Sequence, residues 1–203
     1  MPENRPDIRF DHQIILQWVE ERSRVLDLGC GDGTILKLLI EHKFCHGTCV
    51  EIDEKAIYTC IEKGLTVSHV DIDTGLADYS NKRFDYVILN ESLQEVLNPQ
   101  RVILEALRVG KKVIVGIPNF CHIRARLQIF FQGRVPLTKE LPYQWYDTPN
   151  LRFLSLKDFR YFCKANAIKI LQEVGTAGIA SGGKRVAFRP NLFAHTGLYL
   201  LEK

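Results

Sequence analysis

The sequence lacks the features that would place the chain in a membrane, on the secretory route or on nucleic acid. No apolar run approaches the roughly 20 residues of a transmembrane helix, and the charged, proline-containing residues 1–6 lack the apolar core of a signal peptide. Charge of one sign is not in excess, because 27 basic and 24 acidic residues leave a net charge of +3. This balance indicates neither a nucleic acid nor a membrane as partner. We therefore expect a cytoplasmic protein.

The cysteine pattern lacks both a disulfide framework and a zinc module. The six cysteines lie mostly within apolar runs, which is typical of free thiols in a reducing compartment. His42, Cys45, His46 and Cys49 are closely spaced, but they fall where a helix should end and a strand begin. No second pair of ligands follows at the spacing of a zinc module. We therefore predict no metal site.

The features that are present are those of an α/β domain. With 46% hydrophobic and 25% charged residues, the 203-residue chain is large enough for a single domain, 1–203, with a central sheet covered on both faces. Strands alternate with helices, which favours right-handed crossovers and a mostly parallel sheet. The seven predicted strands cover residues 24–28, 47–52, 65–70, 84–89, 111–117, 167–174 and 192–201.

The regular alternation stops after Pro118, and we interpret residues from about 119 to 150 as an insertion after the fifth strand. A helix is predicted from about His122 to Phe131, and residues 133–150 then carry several prolines and the aromatic run Tyr143-Gln-Trp-Tyr146. Long segments of this kind are usually lids, binding loops or partner surfaces. A packed cover over the sheet is the alternative.

The strongest functional motif is Arg24-Val-Leu-Asp-Leu-Gly-Cys-Gly-Asp-Gly33, followed by a helix-like run. It is typical of a strand, a tight turn and a helix, in which glycines allow positive φ and close approach of a ligand. Glu51 ends the second apolar run at about the distance where a carboxylate accepts hydrogen bonds from ribose hydroxyls. The pair predicts a nucleoside cofactor.

Asp27 decides between two nucleoside cofactors. A dinucleotide site usually has Gly-x-Gly-x-x-Gly, whereas here the third glycine, Gly33, comes one residue early. A carboxylate just before the turn would repel a diphosphate and favour a cationic amine. S-adenosylmethionine has an α-amino group and a sulfonium and no phosphate, so the motif fits this cofactor, or its product S-adenosylhomocysteine, better.

These residues resemble the class I S-adenosylmethionine-dependent methyltransferases. The resemblance implies a Rossmann-like fold with a seven-stranded, mostly parallel sheet, an antiparallel last strand and helices on both faces. It also implies that Glu51 binds the ribose, Asp71 and Ile72 the adenine, and the glycines the methionine part. The predicted cofactor-binding residues are Asp27, Gly29, Cys30, Gly31, Gly33, Glu51, Ile52, Asp71, Ile72 and Asn90.

Two further segments make the chain similar to a narrower family, that of the methionine biosynthesis protein MetW. They are Leu141-Pro-Tyr-Gln-Trp-Tyr-Asp-Thr-Pro-Asn150 and Pro190-Asn-Leu-Phe-Ala194, and the similarity extends from about Arg24 to the end. It implies a role in methionine biosynthesis as partner of MetX, the homoserine O-acyltransferase. Tyr143, Trp145, Tyr146 and Asp147 would then form a partner surface or a lid.

Two functions remain open from the sequence. The first is a methyltransferase-fold partner that supports or activates the acyltransferase, and the second is an active methyltransferase acting on a small molecule. No catalytic residue is assigned, and the only candidate bases are Glu91, after the fourth strand, and His122, at a helix start. The chain is not the acyltransferase itself, because it has no Gly-x-Ser-x-Gly nucleophile elbow.

Overall fold

A computed structural model of the chain describes residues 8–138, 141–177 and 183–203. The helices are α1 (Phe10–Trp18), α2 (Thr34–Lys43), α3 (Glu54–Glu62), α4 (Pro99–Val109), α5 (Ile123–Gln132), α6 (Leu156–Ala165) and α7 (Pro190–Phe193). The strands are β1 (Arg24–Leu28), β2 (His46–Glu51), β3 (Val67–His69), β4 (Phe84–Asn90), β5 (Gly110–Pro118), β6 (Lys169–Thr176), β7 (Arg185–Val186) and β8 (Thr196–Glu202).

The strands form one sheet in the order β3-β2-β1-β4-β5-β8-β6-β7. Strands β3, β2, β1, β4 and β5 pair in parallel, and β8 runs antiparallel between β5 and β6. The strand order reverses direction at β1, where the chain turns from β2 and β3 on one side to β4 and β5 on the other. Open sheets bind ligands beyond the carboxyl ends of their strands at such a point.

The hydrophobic core lies on both faces of the sheet. On one face, Ile15 of α1 and Leu39 of α2 pack over Val25 and Ile88. On the other face, α4 and α6 cover alternate strand residues such as Leu26. Burial of each large aliphatic side chain contributes about 1.5–3 kcal/mol, so the two layers fix the sheet from both sides. The predicted α/β fold with an antiparallel last strand is confirmed.

The predicted number of seven strands is wrong, because the sheet has eight. The additional strand is β7, whose two residues Arg185 and Val186 pair antiparallel with Thr176 and Gly175 of β6. The last strand is also shorter than predicted at its start. Pro190 opens the short helix α7, because its fixed φ suits a first helical turn, and β8 begins only at Thr196.

The region from about 119 to 150, predicted as an insertion, contains α5 and then a segment without regular structure among its described residues. The segment folds back on α5, since the Leu137 amide donates to Gln128 Oε1 over 3.0 Å. Ser155 and Asp158 then form a capping box at the start of α6. Within the described residues, no helix combines the length and apolar character needed to cross a membrane.

Candidate functional site

The glycine turn joins β1 to α2 beside the carboxyl end of β2. The Gly29 amide donates to the Val50 carbonyl over 2.8 Å. Gly29 has a φ of +67°, and a Cβ placed on it would lie 2.7 Å from the Ser92 Cβ. The Ser92 hydroxyl in turn donates to the Leu28 carbonyl over 3.0 Å. The first glycine is therefore required by packing as well as by backbone conformation.

Gly31 faces open space. Its φ is +53°, and a Cβ placed on it would meet no described atom within 4 Å. Its amide donates to Glu51 Oε2 over 2.8 Å. The outer side of this turn therefore has room for a ligand to approach the backbone closely.

Glu51 connects the glycine turn to the loop after β2. Its side chain is buried, and its Oε1 accepts the amides of Ile52 and Asp53 at 2.8 and 3.0 Å. With the Gly31 amide, the carboxylate accepts three backbone hydrogen bonds, and charge-assisted bonds of this kind are stronger than neutral ones. Two carboxylate oxygens offer about four acceptor positions, so one position is left for a ribose hydroxyl.

Asp27 is a buried carboxylate. It is 1% exposed, and its Oδ2 has no hydrogen-bond partner among the described residues. Burial, with added repulsion from Glu51 and Asp32, raises the pKa of Asp27 to about 7. A buried carboxylate without a partner is costly, and a nearby cation would relieve that cost.

The residues predicted to bind adenine lie at the same edge. Ile72 is half-buried, and its Cδ1 would lie 3.2 Å from a Cβ placed on Gly29. Asp71 is exposed, and its Oδ1 accepts the Asp73 amide over 2.8 Å. Ile72 therefore packs beside the glycine turn, whereas the Asp71 carboxylate organises its own turn; its role toward adenine stays a prediction.

Asn90 is the last residue of β4 and Glu91 follows it, and both contact the start of α1. Asn90 Nδ2 donates to Asp11 Oδ2 over 3.0 Å. Arg9 Nη2 forms ion pairs with Asp11 at 2.8 Å and with Glu91 at 2.7 Å. The N-terminal helix therefore covers the β4 side of the edge, and the Glu91 carboxylate, a candidate base, is paired with a guanidinium.

His122, the second candidate base, lies at the start of α5. Its Nδ1 accepts the Arg124 amide over 3.2 Å, which makes it the N-cap of the helix. Its ring stacks on that of His195, with the centroids 4.0 Å apart. These contacts give His122 a structural role, and its role as a base stays an untested prediction.

Sequence reasoning missed two groups of residues at this edge. The Arg9–Asp11–Glu91 ion-pair cluster joins residues 82 positions apart, and Cys30, Cys49 and Cys60 come together beneath the glycine turn. Neither group has a local sequence signal, because each depends on how the helices pack against the sheet.

The aromatic residues predicted as a partner surface or lid are exposed. Trp145 and Tyr146 are 73% and 70% exposed, and their rings meet edge to face with centroids 5.6 Å apart. Tyr143 is 46% exposed, and Asp147 is exposed beside them. Large aromatic groups left in solvent are typical of contact surfaces.

Comparison with known proteins decides the family. The profile of the family described as methionine biosynthesis protein MetW matches residues 9–201. The chain belongs to the MetW family. A curated relative, the bifunctional methionine biosynthesis protein MetXA/MetW of Rhodopirellula baltica, is 33% identical over 165 residues. The match covers 75% of this MetW-family chain and 26% of the relative, so the chain spans about a quarter of the relative's length.

Solved structures similar to this MetW-family chain include S-adenosylmethionine-dependent methyltransferases. One from Archaeoglobus fulgidus has a TM-score of 0.70 at 14% identity, with 95% of this chain and 91% of that chain covered. One from Thermotoga maritima has a TM-score of 0.68 at 18% identity, with 96% and 89% covered. The likeness establishes the Rossmann-like methyltransferase fold.

Proposed function

We propose that this MetW-family protein supports or activates the homoserine O-acyltransferase MetX in methionine biosynthesis, and that it binds S-adenosylmethionine or S-adenosylhomocysteine. The observation that carries the partnership is the relative in which MetXA and MetW are joined in one chain. Joining two units in one chain holds them at a high effective concentration, which favours units that work together.

The cofactor part of the proposal rests on the charge and space around the glycine turn. The orphan Asp27 carboxylate suits the α-amino group of the methionine part, because a cation offsets its buried charge. The open side of Gly31 leaves room for that part, and Glu51 has acceptor capacity for a ribose hydroxyl. Ile72 supplies an apolar contact for the adenine ring beside Gly29.

The remaining predicted site residues have supporting places in this proposal. Cys30 and Gly33 complete the turn, Ile52 follows Glu51, and Asn90 ends β4 at the same edge. The exposed aromatic group Tyr143, Trp145 and Tyr146 is the proposed partner surface. The six cysteines are free, which fits a reducing compartment such as the cytoplasm.

Methyl transfer to a small molecule is the second candidate function, favoured by the position of Glu91 at the carboxyl edge. A methyl transfer needs positioning and sometimes a base. For Glu91 to act as that base, its ion pair with Arg9 has to open. Transfer of label from methyl-labelled S-adenosylmethionine to a small acceptor would favour this function over the first.

Calorimetry tests the cofactor site. Glu51→Ala removes the acceptor proposed for the ribose, together with its hydrogen bond from the glycine turn and its two from the loop after β2. We therefore expect affinity for S-adenosylhomocysteine to fall by about 10- to 100-fold. Glu54→Ala, at an exposed position in the first turn of α3, is the matched control and should bind like the wild type. Equal binding by all three proteins would contradict the site.

A further inference from the structure

Three cysteine thiols meet beneath the glycine turn. Cys30 lies in the turn, Cys49 in β2 and Cys60 in α3, and their Sγ atoms all lie within 4.8 Å of one another. The Sγ atoms of Cys30 and Cys60 are 3.7 Å apart. The residues are 9%, 0% and 0% exposed, so the sulfurs face one another in the interior.

The spacing of the sulfurs matches that of a three-coordinate metal thiolate. A metal–sulfur bond of about 2.3 Å places three sulfurs of a planar trigonal centre about 4.0 Å apart. The Cys30–Cys60 separation of 3.7 Å and the upper bound of 4.8 Å on all three separations are compatible with that distance. Each ligand comes from a different element, so small side-chain rotations can adjust the triangle without moving the sheet.

We propose that Cys30, Cys49 and Cys60 form a binding site for a soft, thiophilic monovalent cation, with Cu(I) as the best match. Thiolate ligands select soft metals, and Cu(I) accepts three sulfur ligands in a plane. Zn²⁺ prefers four ligands, and the ligand group found among the described residues contains three.

Binding of a metal at this cluster is coupled to the loss of protons from its thiols. Each sulfur that bonds the metal as a thiolate releases its proton to solvent, and no atom changes oxidation state, so binding should weaken as the pH falls.

The site would fix the glycine turn in place. Cys60 Sγ donates to the Gly31 carbonyl over 3.3 Å, and a Cβ placed on Gly33 would lie 2.9 Å from Cys60 Sγ. A metal held by the three sulfurs would therefore tie the turn, through Cys30, to α3 through Cys60 and to β2 through Cys49. The loaded protein should resist unfolding by urea more than the empty one.

Anaerobic competition for Cu(I) tests the site. The reduced protein is titrated into the coloured Cu(I) complex of bicinchoninate, and loss of colour reports transfer of the metal. We expect one Cu(I) per chain for the wild type, and at least about tenfold weaker uptake by Cys49→Ala and Cys60→Ala. Cys45→Ala and Cys163→Ala, at buried positions outside the cluster, are matched controls and should bind like the wild type.

If a cluster variant does not fold, alkylation of the wild-type cysteines with and without Cu(I) still tests the site. In mild urea, Cu(I) should protect Cys30, Cys49 and Cys60 from iodoacetamide more strongly than it protects Cys45 and Cys163, as mapped by peptide mass spectrometry. The metal blocks the three cluster sulfurs directly, whereas it protects the other two buried cysteines only through the added stability of the fold. No uptake by the wild type, equal uptake by the folded variants, or equal protection of all five cysteines would overturn the proposal. The three thiols would then be apolar packing groups only.

Discussion

At the scale of single residues, Asp27 is the group that links the sequence motif to a ligand. The motif places an acidic residue where it would suit a cationic amine. In the structure that carboxylate is buried, and one of its oxygens has no hydrogen-bond partner among the described residues. Buried polar groups are normally hydrogen-bonded, so this oxygen supports the proposed contact with a cationic ligand.

The raised pKa of Asp27 gives a pH-dependent stability. The folded protein holds this proton up to about pH 7, whereas the ordinary pKa is 3.8. The contribution of protonated Asp27 to the free energy of unfolding is therefore fully present below about pH 4 and is lost as the pH rises through about 7. Relative to Asp27→Asn, which cannot ionise, the ligand-free wild type should lose at most about 4 kcal/mol of unfolding free energy over that window. Urea unfolding at several pH values measures the difference.

Asp85 offers a control of opposite sign. Hydrogen bonds from Arg24 hold the pKa of Asp85 below its ordinary value. The contribution of ionised Asp85 to the free energy of unfolding is therefore present above the pKa of the unfolded chain and is lost as the pH falls. The difference between the wild type and Asp85→Asn should therefore shrink toward acid. Parallel curves for the wild type and Asp27→Asn would show that Asp27 titrates normally.

The sequence predicts which residues lie at the candidate site, but it does not predict which side chains contact one another there. Glu51 and the glycines are predictable because a strand end and a tight turn constrain residue type locally. The contacts of Asn90 with Asp11 and of Cys30 with Cys60 depend on packing between distant segments. The sequence places Cys49 close to His42, Cys45 and His46, whereas in the fold its sulfur lies beside those of Cys30 and Cys60.

At the scale of elements, the parallel strands are the best predicted part. The strands β1, β4 and β5 are mostly buried on both faces, and each contains consecutive apolar residues. At the parallel edge, β3 has only three residues, Val67–His69, where residues 65–70 were predicted. The other main errors fall at the antiparallel end of the sheet. The strand β7 has only two residues, and α7 interrupts an apolar run through Pro190, so neither has enough periodic sequence to be recognised.

The segment after α5 carries the proposed partner surface, and Trp145 is its most exposed aromatic residue among 143, 145 and 146. Interface aromatic residues are often hot spots, so Trp145→Ala should weaken co-purification with the acyltransferase by at least about tenfold. The unfolding free energy should change little, because the side chain lies in solvent. Quantitative pull-down and urea unfolding measure both effects.

Tyr58→Ala is the matched control for this surface. Tyr58 is an aromatic residue on α3 that is 66% exposed, close to the 73% of Trp145, and its removal should leave the complex intact. Equal retention of the acyltransferase by the wild type and Trp145→Ala would remove this segment from the interface.

At the scale of the whole molecule, the fold follows from a pattern that many methyltransferases share. Alternation of strands and helices fixes a mostly parallel sheet, and the handedness of the crossovers limits its strand order. The same fold hosts many functions, so it cannot by itself distinguish a catalyst from a partner. The proposed partner role is supported by the family match and by a relative whose name joins MetXA and MetW.

The activity of the homoserine O-acyltransferase with and without this protein tests the central claim most directly. The assay compares the enzyme alone, with the wild-type protein, and with Glu51→Ala, each in the absence and presence of S-adenosylmethionine. We expect the wild type to raise the activity, and the cofactor to change that effect for the wild type and not for Glu51→Ala. Unchanged acyltransferase activity at saturating wild-type protein, with or without cofactor, would contradict the account.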